Sequence, residues 1–224
     1  LNQSVESVEF ELISTIYDLF KVDRKKIAFL HGHGELDSAD IASANRILLE
    51  SYDVYQVDLP EKRTLEDYDA VILARPVETF SQEDVYKIDQ YIMQGGKAIF
   101  MIDMLSVNKD SISREGTIGY PYDLNLDNLL FRYGLRINPD FLLDLNSGGF
   151  PVVVGNLGED PQIQMMPWPF YPIISHYADH PLVRNLDAVY LRFTSSIDTV
   201  RASGITKTPL MFTSAYSKTV QAPV

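Results

Sequence analysis

Hydrophobic positions in this chain recur with two periods that alternate along it. Val5, Val8, Leu12, Ile16 and Leu19 fall three to four apart with Glu6, Glu9 and Glu11 between them, which predicts an amphipathic helix over residues 4–20. A charged connector, Lys21 to Lys26, leads into the strand-sized apolar run Ile27–Leu30, which ends in His31-Gly32-His33-Gly34-Glu35. Helical spacing returns through Ile41, Ala44, Ile47 and Leu48, giving a helix over 38–51, and Asp53–Val57 reads as a second strand before the loop at Pro60. Tyr68–Ala74 is apolar nearly throughout, the signature of a strand buried on both faces, and it stops at Arg75-Pro76. Ser81 followed by Asp84 marks a helix start, a hydroxyl cap with an acid in the first turn. Val85, Ile88 and Ile92 form the inner face of that helix, and Gly95-Gly96 ends it. Ala98–Ile102 is a fourth strand, closed by Asp103.

Short apolar strands alternating with amphipathic helices imply right-handed crossovers and parallel pairing. The expected fold class is therefore α/β, with a largely parallel sheet flanked by helices. Ser106–Gly119 is polar and reads as an exposed loop; Leu126, Leu129, Leu130 and Tyr133 mark a helix ending at Gly134. The remainder changes character. Phe150–Val154, Gln162–Met166, Ala188–Phe193 and Leu210–Thr213 read as strands, and most of the prolines fall from Pro139 onward. This β-richer C-terminal part is expected to add antiparallel strands to the sheet or to pack beside it. No internal repeat or low-complexity segment interrupts the pattern.

Composition narrows the function classes. The chain has 224 residues, 46% hydrophobic and 22% charged, with a formal net charge of -12 and a sequence pI near 4.7. That is the profile of a folded chain with a real core, and its charge argues against nucleic acid or an anionic membrane surface as a partner. With no cysteine, a disulfide scaffold, a cysteine nucleophile and thiolate metal sites are excluded. No apolar run approaches the roughly 18 residues of a membrane span, and no signal-peptide pattern opens the chain. A first residue of Leu1 rather than Met reads as a processed chain or an excised piece of a longer one.

Ligands of open α/β sheets sit beyond the carboxyl ends of the strands. Three such ends carry His31–Glu35, Arg75-Pro76 and Asp103, and if the sheet forms these groups are expected to converge. His31 and His33 in extended chain face one way, as two metal ligands would, with Glu35 as a third; against this, two glycines make a tight turn and the histidines cap the next helix. Gly32 and Gly34 before a helix also resemble a phosphate cradle, but the G-x-G-x-x-G order and the P-loop Lys-Ser/Thr are both missing. Arg75 suits bidentate grip of a carboxylate or phosphate, or a structural pair with Asp103 or Glu35. Asp103 suits a turn cap or a general base. His176 and His180 have helical spacing, but Pro181 follows at once. No G-x-S-x-G elbow surrounds any serine. Pro167-Trp168-Pro169-Phe170-Tyr171-Pro172 suits a packed loop more than a docking platform. The ligand-binding candidates are thus His31, Gly32, His33, Gly34, Glu35, Arg75, Pro76 and Asp103, with no metal and no cofactor expected.

The order of several segments resembles GldG-type proteins, auxiliary components of an ABC transport system associated with bacterial gliding motility. The likeness runs from Lys26-Ile27-Ala28-Phe29-Leu30 and Gly32-His33-Gly34-Glu35 through Tyr68–Pro76 and Lys87–Lys97. It resumes at Tyr133–Asp140, Pro151–Asn156, Met166–Pro169 and His180–Asp187. The resemblance implies a domain shared with intraflagellar transport proteins and a class I glutamine amidotransferase-like (flavodoxin-like) core. In those amidotransferases a strand ends at a cysteine nucleophile; the comparable strand here ends at Ala74-Arg75-Pro76. It implies an N-terminal helix and connector at 1–25, the amidotransferase-like domain at 26–200, and a C-terminal strand and tail at 201–224 of an excised soluble region. It further implies a non-catalytic binding or scaffolding role outside the cytoplasm, tethered to the inner membrane through anchors outside this chain. The partners would be membrane subunits of the transporter and a small polar or glycan-like ligand. The rival expectation is a hydrolase or transferase of the amidotransferase-like superfamily using His33, Glu35 and Asp103 without cysteine.

Overall fold

A computed structural model of the chain describes residues 24–107, 119–157 and 160–222, together with isolated positions at 8, 12, 13, 15 and 16. The predicted helix over 4–20 falls, apart from those positions, outside the described residues, as does most of the loop at 106–119. The chain forms two compact units. The first takes the described residues up to Pro76 together with Ser81–Ile102, and the second takes Val77–Phe80 and everything from Asp103.

The first unit contains β1 (Lys26–His31), α1 (Ala42–Ser51), β2 (Asp53–Asp58), β3 (Ala70–Ala74), α2 (Gln82–Met93) and β4 (Lys97–Met101). All four strands are parallel, in the order β2-β1-β3-β4. The runs Ile27–Leu30, Tyr68–Ala74 and Ala98–Ile102 form neighbouring strands. Ile27 pairs in register with Ala70, and Val71 with Ala98. The chain leaves β1 toward one edge and β3 toward the other, so right-handed crossovers place α1 and α2 on opposite faces. Strand alternation then sorts the core. Ile27, Phe29, Ile72 and Ala74 join Ile41 in one buried cluster, with Leu36, Leu48 and Tyr52 packed on it. Ala28, Leu30, Val71 and Leu73 point the other way and are equally buried, as are Ile88 and Tyr91 of α2.

The start and stop of α2 follow the residues that predicted them. Ser81 Oγ accepts the Asp84 N–H at 3.1 Å, and Gly95 takes a left-handed φ of 95°. At Gly96 the chain passes so close to the Tyr91 ring that a Cβ would lie 2.4 Å from it. Tyr91 in turn bonds its hydroxyl to the Tyr68 carbonyl at 3.0 Å.

Beyond Ile102 the chain is antiparallel, as its β-rich composition suggested, but its strands form separate small sheets and outweigh the parallel one. The second unit opens with the antiparallel pair β5 (Leu105–Val107) and β6 (Gly119–Pro121), followed by α3 (Asp127–Arg132). The remaining strands are β7 (Leu135–Ile137), β8 (Asp140–Asp144), β9 (Ser147–Leu157), β10 (Asp160–Ile174), β11 (His176–Tyr177), β12 (Val189–Tyr190), β13 (Ile197–Thr199), β14 (Met211–Phe212) and β15 (Ser217–Gln221). They form small antiparallel sheets: β12-β10-β9, β11-β14, β13-β7 and β15-β8. The largely parallel, amidotransferase-like sheet expected from the resemblance is therefore not what forms. Strand outweighs helix, 39% to 18%, and parallel pairing stops at β4. The physical reason lies in the connections. A parallel return needs a crossover of a dozen or more residues, usually a helix, whereas β8, β9 and β10 follow one another through short turns and can only reverse.

Two acids pin this unit together. Asp140 and Asp144 sit on β8, both buried. Asp140 accepts the N–H and hydroxyl of Ser196 at 2.9 and 2.7 Å. Asp144 accepts the N–H and hydroxyl of Ser214 and the N–H of Asn146. Each carboxylate thus ties β8 to a later segment. The Pro167–Pro172 segment is not the loop the sequence suggested but part of β10. Trp168 packs 5.2 Å from Phe150, and Tyr171 5.2 Å from Phe193.

Candidate functional site

In a parallel sheet ordered β2-β1-β3-β4 the chain changes direction between β1 and β3, and the crevice outside their carboxyl ends is where ligands collect. The structure places the two predicted tips there. Leu36 donates its N–H to the Ala74 carbonyl at 2.9 Å, which holds the exit of the His31–Glu35 loop against the end of β3. Asp103, the third predicted tip, begins the second unit and is half-buried there.

The loop after β1 owes its shape to glycine. Gly32 has φ 118° and Gly34 φ 70°, a region costly for any residue with a Cβ. At Gly32 a Cβ would also meet the Pro60 ring at 2.5 Å. This turn carries His33 inward rather than outward. His33 is only 4% exposed. Its backbone N–H donates to Glu35 Oε2 at 2.8 Å, its Nε2 lies 3.3 Å from Asp84 Oδ2, and its Nδ1 lies 3.7 Å from Glu35 Oε1.

The acid it meets belongs to a larger buried network. Asp84 accepts the Ser81 hydroxyl at 2.7 Å on Oδ2 and the Lys87 ammonium at 2.9 Å on Oδ1. Lys87 also bonds the carbonyls of Leu59 at 3.1 Å and Pro60 at 3.3 Å, and reaches Glu83 at 3.4 Å. Burial pushes the Asp84 carboxyl up, but Ser81, Lys87 and His33 outweigh it and hold the group below its ordinary value. Burial likewise works against the Lys87 charge, yet Asp84 and Glu83 raise it above the usual lysine value. The network therefore stays ionised around neutrality. It links the β1 loop, the β2 exit and the first turns of α2.

The other candidates divide. His31 is half-buried, and its Nε2 has no hydrogen-bond partner among the described residues; neither does Glu35 Oε1. Pro76 is fully buried and acts as a wall. Arg75 is exposed and adopts φ 54°, a left-handed conformation rare for a residue with a side chain. Its N–H is fixed by the Met101 carbonyl at 2.7 Å. Such a strained position at a strand tip is the kind of outlier that accompanies binding sites. Among the described residues no group of three His, Asp or Glu is placed to hold a metal ion.

Sequence reasoning missed Lys87 and gave Asp84 only a capping role. The available signal was an acid one turn before the inner-face residue Ile88, followed three residues later by a lysine. It also missed the cavity of about 400 Å³ in the second unit, lined by β6, α3 and β7.

A family model described as "ABC-type uncharacterized transport system" matches residues 24–224. No curated protein matches the sequence significantly. Among solved structures the chain is similar to the mmIFT52 N-terminal domain, with a TM-score of 0.59 and 16% identity over 89% of this chain and 77% of that one. At that identity the likeness concerns fold alone. The architecture shared is that of this domain and not an amidotransferase fold. Among the described residues no helix is long and apolar enough to cross a membrane.

Proposed function

This chain belongs to the ABC-type uncharacterized transport system family, and we propose that it is the non-catalytic binding and scaffolding domain of a membrane-anchored auxiliary component. The observation that carries this reading is the engagement of His33, the most reactive-looking residue of the chain. It is buried between Glu35 and Asp84 and serves to hold loop to helix. A general base needs access to substrate within hydrogen-bond reach, and an imidazole 4% exposed and flanked by two carboxylates has another task. The proposed ligand face is the pair of tips at β1 and β3, where His31 and Arg75 would meet a small polar or glycan-like ligand, with the buried Glu35 side chain holding the loop.

The proposed partner surface is the ribbon of β9 and β10. Between Asp144 and His176 the only charged residues are Glu159 and Asp160, in a chain of net charge -12. Val153, Val154, Ile163, Met165 and Met166 are all exposed there, Ile163 at 64% and Met165 at 60%. Val153 pairs with Ile163, and Met165 lies on the same face two residues on; exposed apolar surface of this kind marks interaction sites, and methionines adapt to irregular partners. In an ABC-type transport system the occupant is taken to be the membrane subunits of the transporter, on the extracytoplasmic side. The association with gliding motility rests on the ordered series of segments from Lys26 to Asp187.

The test is co-expression with the transporter membrane subunits encoded alongside the protein, followed by detergent purification. The wild-type chain is expected to co-purify, and Ile163→Asp/Met165→Asp is expected to abolish co-purification while keeping its fold, since both side chains face solvent. Equal recovery of both chains, or of neither, refutes the assignment.

A further inference from the structure

The cavity of the second unit plays no part in that reading. Its volume of about 400 Å³ lies within the range of roughly 300–1,000 Å³ typical of small-molecule sites. The floor is apolar, built from Met104, Leu130, Leu135 and Ile137. Two aromatic rings, Tyr122 and Phe131, join the lining. Phe131 leaves 56% of its surface exposed, although it lies beside the buried Leu130 on the same short helix.

The polar groups decide what the cavity takes. Arg136 is already engaged. Its guanidinium pairs with Asp198 across the β7–β13 ladder, and Asp198 also accepts the Asn138 amide at 3.1 Å. That pair is neutral as a unit. Asp127 is different. It is an exposed residue of the same lining, and it has no hydrogen bond or ion pair among the described residues. Among the described residues the lining therefore holds one uncompensated negative charge together with two aromatic residues, in a chain of net charge -12.

Three ligand classes fare differently here. An anion meets repulsion from Asp127 and from the field of the whole chain. A neutral apolar molecule covers the carboxylate without pairing it, which costs free energy. A cation with an apolar body pairs with Asp127, lies against the negative faces of the rings, and fills the floor. We propose that this cavity binds an organic cation, an ammonium group on a compact apolar body. The source is either a free amine or a lysine side chain flanked by apolar residues on a protein partner.

The experiment titrates the full chain with phenethylammonium, 2-phenylethanol and phenylacetate by calorimetry and by backbone amide shifts. Phenethylammonium is expected to shift the amides of Asn128, Phe131 and Arg136 and to bind about tenfold more tightly than either isostere. Asp127→Asn is expected to weaken it about tenfold and Phe131→Leu about fivefold. Asp127 is exposed, so its substitution leaves the fold intact, and an unchanged circular dichroism spectrum checks this. No binding of the amine, equal binding of phenylacetate, or an unchanged affinity in Asp127→Asn overturns the proposal. A second arm compares acetyl-Leu-Lys-Leu-amide with phenethylammonium. Tighter peptide binding assigns the site to a partner lysine, and weaker binding assigns it to a free amine.

Discussion

Replacing Lys87 with methionine isolates what the buried network does. Methionine keeps the unbranched stem packed where the lysine stem lies, so the change is polar rather than steric. It removes the 2.9 Å ion pair to Asp84 and the bonds to the Leu59 and Pro60 carbonyls. Both ionic side chains are nearly buried, at 7% and 5% exposure. Removing one partner of such a pair strands the other and costs roughly 3–5 kcal/mol. Asp84 keeps the Ser81 hydroxyl and the His33 ring, so the lower end, about 3 kcal/mol, is expected. The double replacement Asp84→Leu/Lys87→Met leaves no orphaned charge, and should cost at least about 2 kcal/mol less than the sum of the single changes. Trp168, the only tryptophan, lies in the second unit, so its fluorescence does not report on the network. Native-state hydrogen exchange at the amides of Ala28, Phe29 and Val71 does. A single-variant loss below about 1 kcal/mol, or additive effects, would refute the view that this network clasps the loop to the helix.

Other outcomes follow from the same geometry. Arg75→Gly is expected to be more stable than Arg75→Ala by about 1 kcal/mol in urea unfolding, because only glycine adopts φ 54° without strain; equal stability contradicts the strain. Gly32→Ala should lower the unfolding midpoint by at least the equivalent of about 1–2 kcal/mol, from the left-handed backbone alone before the Pro60 contact is counted. Asp84 and Asp144 both have carboxyls lowered in the folded chain. For Asp144 burial acts upward and the bonds from Ser214 and Asn146 outweigh it. The unfolded chain binds more protons in that window, so their stabilisation is complete above the unfolded value near 3.9 and is lost as pH falls through the lower folded values. Lys87 is raised, so its contribution is full below about 10.4 and is lost as pH rises through its folded value. Urea unfolding at a series of pH values checks both edges, and Asp144→Asn should flatten the acid edge.

How far the residues foretold this arrangement depends on how local the cause is. Ile27–Leu30, Tyr68–Ala74 and Ala98–Ile102 declare their strands through unbroken apolar runs, and Ser81 and Gly95 declare the ends of α2 through backbone chemistry within a few residues. These signals need no knowledge of distant partners. The direction of pairing after Asp103 does, since an apolar run such as Phe150–Val154 has the same period whether its neighbour runs parallel or antiparallel. The β-richer composition after Pro139 did point to antiparallel strands; what it did not show is that they form separate small sheets that together outweigh the parallel one, against the largely parallel amidotransferase-like core the resemblance implied. At the site, Gly32 and Gly34 marked a tight turn, but whether His33 turned toward solvent or toward Asp84, 51 positions later in the chain, was set by packing. The acids Asp140 and Asp144 were equally silent, because their partners Ser196 and Ser214 lie 56 and 70 residues away.

The most direct measurement is hydrogen exchange of the chain bound to its reconstituted transporter against the free chain. A binding domain engaged through its apolar ribbon gains protection at residues 150–155 and 162–166 and keeps unchanged protection around His33 and Lys87. Protection absent from the ribbon, or a His33 region that opens in the complex and turns over substrate, would contradict the account.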